Sequence, residues 1–70
     1  MKPQSRQLLM LLEAAGPDGV TARQAWLSLG IYRAAARVME LRRDGYTIST
    51  TIERQQAGGT FARYRLERAA

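Results

Sequence analysis

Apolar residues first recur at helical spacing. Leu8, Leu12 and Ala15 fall on one stripe, and Leu9 and Leu11 widen it, which predicts a helix from Pro3 or Gln4 to Ala15. Pro3 is suited to a first turn, and Gly16-Pro17 ends the segment. Thr21 and Gln24 then stand at the spacing of a capping box, in which hydroxyl and amide side chains satisfy each other's backbone N–H groups. A short second helix is predicted from Ala22 to Leu29, burying Ala25, Trp26 and Leu29, with Val20 as a staple against Ala25.

Gly30 interrupts the pattern, and a third helix is expected from near Tyr32 to Asp44. Its apolar stripe is Ile31, Ala34, Val38 and Leu41, widened by Ala35 and Met39, and the opposite face holds Arg33, Ala36, Arg37, Glu40 and Arg43. Gly45 follows as the residue that closes the helix, with Arg42 and Arg43 beside the negative end of its dipole. Beyond Gly45 the period changes to two. Tyr46, Ile48, Thr50 and Ile52 alternate with polar residues, 54–59 reads as a loop, and Thr60 to Leu66 as a returning strand. Burial fixes the register: Ile52 opposite Ala62, Thr50 opposite Tyr64 and Ile48 opposite Leu66 keep Arg63 and Arg65 outside, whereas a slip by one residue buries both arginines. The same register puts Phe61 on the outer face opposite Glu53, as an exposed aromatic and a candidate contact for a partner. The predicted fold class is α+β, three helices followed by a two-stranded β-hairpin.

Composition narrows the function. The 70 residues suffice for one domain, residues 1–70, with a small core. Without Cys or His, a disulfide framework and an ordinary zinc site are excluded, so neither metal nor cofactor is expected. Six scattered carboxylates assemble no catalytic pair, and Gly58-Gly59 is followed by neither Lys-Ser/Thr nor a helix, so it is not a phosphate-binding loop. The longest apolar run, Leu8 to Leu12, is too short to cross a bilayer, and the start lacks the pattern of a signal peptide. A soluble, cytoplasmic protein that is not an enzyme is expected.

Charge adds a partner. Lys and Arg number 11 against 6 Asp and Glu, for a net charge of +5, and 10 of the 11 are arginine. The excess gathers on the third helix and the C-terminal segment, where Arg33, Arg37, Arg42, Arg43, Arg54, Arg63, Arg65 and Arg68 lie. Arginine's planar fork suits phosphate and guanine edges, so double-stranded DNA is the leading partner.

The stretches "LGIYRAAARVMELRRDGYTI" and "GGTFARYRL" resemble small winged helix-turn-helix proteins of bacteria and their phages, and the N-terminal DNA-binding domain of the biotin repressor. The similarity covers roughly residues 6 to 66. It implies a third helix in the major groove and a hairpin wing along the backbone or the minor groove. Position by position, Arg33 and Arg37 become groove-facing, Thr21 and Arg23 approach phosphate at the start of the second helix, and Arg54, Gln55 and Gln56 belong to the wing. Tyr32 stands where such proteins often have a capping Ser or Thr, and its hydroxyl is placed to reach a phosphate. The role implied is a small phage or mobile-element transcriptional regulator or an excisionase-like factor. Assembly as a homodimer or side by side on DNA is expected, because one recognition helix covers few base pairs. The alternative is a winged-helix protein-interaction module, such as a phage-encoded inhibitor of a host or defence protein.

Overall fold

Pro3 opens helix α1 (Pro3–Ala15), which presents Leu8, Leu9 and Leu12 to the interior. A single 3-10 turn (Gly16–Asp18) follows, and the chain then enters a two-residue strand, β1 (Val20–Thr21). Next come α2 (Ala22–Leu29), α3 (Ala34–Arg43), β2 (Thr47–Arg54) and β3 (Thr60–Glu67). This is a computed structural model, and it describes residues 2–67; Met1 and residues 68–70, Arg68 among them, lie outside the described residues.

The local signals fold as their chemistry dictates. Thr21 Oγ1 accepts from the Gln24 amide at 3.1 Å, and the Thr21 amide donates to Gln24 Oε1 at 2.8 Å, completing the capping box. Replacing such a cap by Ala typically costs ~1 kcal/mol. Gly30, at φ 68°, sits in the left-handed region that ends α2, and its N–H bonds the Trp26 carbonyl at 2.9 Å. At the end of α3, the Gly45 N–H returns to the Arg42 carbonyl and the Tyr46 N–H to the Leu41 carbonyl, the paired bonds of a Schellman closure.

The hairpin register is the one burial demands, with Ile48 opposite Leu66, Thr50 opposite Tyr64 and Ile52 opposite Ala62. β3 is the central strand of a three-stranded sheet in the order β1-β3-β2. Periodicity gave no hint of β1, because two residues are too few to show alternation; tertiary pairing makes the strand. Val20 opposes Tyr64 and Thr21 opposes Arg63. One core joins leucines of α1, Val20, Ala25, Ile31, the Ala34-Val38-Leu41 stripe, Ile48 and Tyr64.

Four expectations need correction. The third helix begins at Ala34 rather than near Tyr32 and ends at Arg43 rather than Asp44. Arg33 is its cap, at φ −119° and ψ 70°, because the chain bends at Tyr32 between the end of α2 and the first turn of α3. Trp26 is not core: it is 41% exposed and lies against the ring of Tyr32, centroids 4.1 Å apart, while Ala25 takes the buried position of α2. Ile52 is 65% exposed and Thr50 is also exposed, although both share a strand face with buried Ile48, since the far half of the hairpin projects past the helices. Phe61 lies opposite Glu53, but it is half-buried rather than exposed, with the Arg63 guanidinium 5.9 Å from its ring centre.

The sheet depends on one close approach. Gly19 has φ 69° and ψ −172°, a region open essentially to glycine alone. A Cβ there would fall 2.5 Å from the Tyr64 carbonyl oxygen. Gly19→Ala is therefore expected to destabilise the fold by about 2 to 3 kcal/mol. Urea denaturation measures it; an unchanged midpoint would show that β1 can detach from β3 without penalty.

Candidate nucleic-acid interface

Helix α3 packs its Ala34, Val38 and Leu41 inward, and a 3.6-residue period then puts Ala36, Met39 and Arg43 at the centre of the outward face. Arg33 precedes the first turn and Tyr32 precedes Arg33, both exposed, Tyr32 at 83%. These residues border a long open groove whose far wall includes Ala22 and Tyr64. At the groove's centre the surface is small and apolar, with Ala35 exposed and Met39 half exposed. Cations stand at its ends.

Arg37 is not at that centre. It lies on the flank facing α1, its Nε 2.6 Å from Glu40 Oε1 in a close charge contact rather than an aligned hydrogen bond, and its Nη1 donates to Gln4 Oε1 at 3.4 Å. Glu40 also meets Lys2 Nζ at 3.2 Å and accepts from the Ser5 hydroxyl at 3.2 Å, so α1 and α3 share one polar tie. Partial burial pushes the Glu40 carboxyl up, but the Lys2 hydrogen bond, the charges of Arg37 and Lys2, and the Ser5 hydroxyl outweigh it and hold the carboxyl below its ordinary 4.5.

A second hollow lies where the start of α2 meets the hairpin. It is lined by Thr21, Arg23, Gln24, Gln55, Phe61 and Arg63, so three sequence-selected residues, Thr21, Arg23 and Gln55, come together. The Thr21 hydroxyl already accepts the Gln24 amide, which leaves its proton available to donate. Arg54 pairs with Thr60 as the last residue of β2, and Gln55 and Gln56 lie in the exposed tip, which is closed by the Gln55 amide on the Gly59 carbonyl at 3.1 Å.

Much of the positive charge is engaged inside the fold. Arg42 clamps β2 to the end of α3, donating from Nε and Nη2 to the Ile48 carbonyl at 3.1 and 2.6 Å, and from Nη2 to Thr50 Oγ1 at 3.0 Å. On the outer sheet face, Arg63 donates to Glu53 at 2.6 Å and to the Asp18 carbonyl at 2.9 Å. Arg65 donates to the Pro17 carbonyl at 2.9 Å and to Thr51 at 3.0 Å. By contrast, Arg23, Arg33, Arg43 and Arg54, like Arg6 on α1, make no side-chain hydrogen bond or ion pair among the described residues. The first four lie at the start of α2, the two ends of α3 and the hairpin. Sequence reasoning passed over Arg43, because its place in the last turn of α3 explains it equally well through the helix dipole. It also passed over Tyr64, because an inward strand position reads only as core.

The profile of the winged helix-turn-helix domain family matches residues 3–69. This chain belongs to that family. No curated protein sequence and no solved structure matches it. In winged helix-turn-helix terms, α2 and α3 form the helix-turn-helix, and the hairpin of β2 and β3 is the wing. Membership points to DNA binding in general. Among the described residues of this winged helix-turn-helix, no group of three or more potential metal ligands occurs, and no helix is long and apolar enough to cross a membrane.

The Glu40 tie should give the winged helix-turn-helix an acid-sensitive component of stability. Because the folded carboxyl titrates below 4.5, its contribution is full above that value and is lost as pH falls through the lowered folded value. Glu40→Gln should therefore lower the unfolding midpoint at neutral pH, and its difference from the native chain should shrink below pH 4.5. Thermal melts across pH check it. A difference that stays constant down to strongly acidic pH would assign the Glu40 effect to packing rather than charge.

Proposed function

We propose that this chain binds double-stranded DNA in a sequence-specific manner, with α3 in the major groove and the wing on the backbone. One observation carries the reading: of the five arginines without internal partners among the described residues, all but Arg6 on α1 lie at the start of α2, the ends of α3 and the wing, while those elsewhere on α3 and β3 are absorbed by the fold. In this reading Arg33 and Tyr32 approach bases or phosphate at the groove end of α3. Ala36 and Met39 offer apolar contact of the kind that suits thymine methyl groups. Thr21 and Arg23 hold phosphate at the start of α2, and Arg54, Gln55 and Gln56 track the backbone from the wing. Arg37 takes part only by leaving Glu40, so its role is secondary to that of Arg33.

The proposed role is that of a small regulator or excisionase-like factor of a phage or mobile element, acting in the cytoplasm through residues 1–70 as one domain and by binding rather than catalysis. The resemblance to the biotin repressor's N-terminal domain supports the docking mode. Copies are proposed to assemble as a dimer or side by side on DNA. Half-buried Phe61 is a poorer contact for this than the exposed edge of β2. Sedimentation velocity on a long specific duplex should show more than one chain per site; saturation at one chain would remove assembly from the proposal. The protein-interaction alternative draws on the exposed Trp26, Leu27 and Tyr32 around the turn.

A target is obtained by selecting duplexes from a random pool, and its affinity is measured across salt concentrations. With roughly four to six phosphates neutralised, log affinity should fall with log salt at a slope of about −4 to −5. In the same titration Arg33→Ala should cost ~1 to 3 kcal/mol on the selected site and little on a scrambled one. Arg54→Ala should weaken both alike. Affinity indifferent to salt, or no binding at low salt, would favour the protein-partner reading.

A further inference from the structure

Tyr64 is 7% exposed, on the core side of the central strand, and its ring belongs to the hydrophobic core. A phenol buried that far normally finds a hydrogen-bond partner, and leaving a polar group unpaired costs about 1 to 3 kcal/mol. Among the described residues none pairs with the Tyr64 hydroxyl, yet the sealed and unpartnered side-chain atom among them is Arg37 Nε, not this oxygen. The hydroxyl therefore opens outward, and Tyr64 lines the groove along α3. If packing alone were required, phenylalanine would fill the site without an unpaired donor.

What shares the groove defines the ligand. Ala22 is the first residue of α2, whose N–H has no acceptor within the helix and which stands at the positive end of the dipole. Arg33 lies on the same groove with no ion pair among the described residues. The wall between them includes Ala36, too small to bar a bulky group. The acid of the groove, Glu40, is already held by Arg37 and Lys2. A hydroxyl donor, a helix amide and a guanidinium with no free carboxylate make a place for a phosphodiester.

We propose that Tyr64 is a DNA-contacting residue whose hydroxyl donates to one backbone phosphate seated between the start of α2 and the first turn of α3. The proposal rests on the DNA-binding reading and adds to it a residue of the central strand that lines the groove along the recognition helix. It makes the central strand, and not only the wing tip, part of the interface.

The test is Tyr64→Phe in the full chain, which keeps the ring and removes the donor. The variant should melt with the native chain and bind the selected and the scrambled duplex equally less well, by about tenfold. Single methylphosphonate substitutions along the selected duplex should reveal one position whose neutralisation weakens the native chain by a similar factor and leaves Tyr64→Phe no weaker than before. Native-like affinity of the variant would overturn the proposal, as would a lowered melting temperature, which would mean that the hydroxyl serves the fold. Methylphosphonate losses that simply add to those of the variant at every position would overturn it too. If the native chain binds no duplex at low salt, the DNA reading itself fails; if it binds and only the variant is unaffected, the Tyr64 contact alone falls.

Discussion

Gly19 lets Val20 and Thr21 pair with Tyr64 and Arg63, and that two-residue ladder ties the start of α2 to the middle of β3. Because the Thr21 that pairs in β1 is also the cap of α2, the helix begins where the sheet edge ends, with no linker to bend. β3 pairs on its other side with β2, so wing and helix-turn-helix are fixed to one strand. Arg63 and Arg65 reinforce the joint from the outer face by holding the carbonyls of Asp18 and Pro17, the turn that feeds β1. Without the ladder, the hollow shared by Thr21, Arg23 and Gln55 would come apart, since its walls belong to distant parts of the chain.

Electrostatics follows from the same geometry. A chain of net charge +5 repels itself, and the fold answers by placing arginine against backbone carbonyls and the few carboxylates wherever two elements meet. Arg42 joins α3 to β2, Arg37 joins α3 to α1, and Arg63 and Arg65 join the sheet to the turn. Charge-assisted bonds to carbonyls are stronger than neutral ones, and those of Arg42 to Ile48 are partly buried. The remaining cations sit on the opposite side of that partition, where only solvent or a partner can neutralise them. Composition alone overstates the charge available to DNA.

The wing shows the cost of reach. Ile52 is exposed although its strand position repeats that of buried Ile48, because a hairpin long enough to leave the body has nothing beneath its outer half. The backbone ladder from Thr47–Glu67 to Arg54–Thr60 holds that half in place, and the tip is closed by its own amide bonds.

The three helices, the hairpin and its register were legible in the sequence, because each rests on a local rule: period, cap, glycine stop, or the penalty of burying two arginines. Arg33, Arg23 and Arg54 were chosen through the winged-helix resemblance, which maps them onto the recognition helix, the start of α2 and the wing. What needed the tertiary structure was every feature set by a neighbour far along the chain. β1 exists only because β3 offers it an edge. Arg37 turns from the outward face because Glu40, Gln4 and the α1 surface lie to one side, and Trp26 turns from the core because Ala25 and Ile31 already fill it. Tyr64, read as core from its alternation, lines the groove because β3 pairs there with the strand that leads into α2. Local sequence set which residues form each element; the contacts between elements decided which of their side chains remain free to meet a partner.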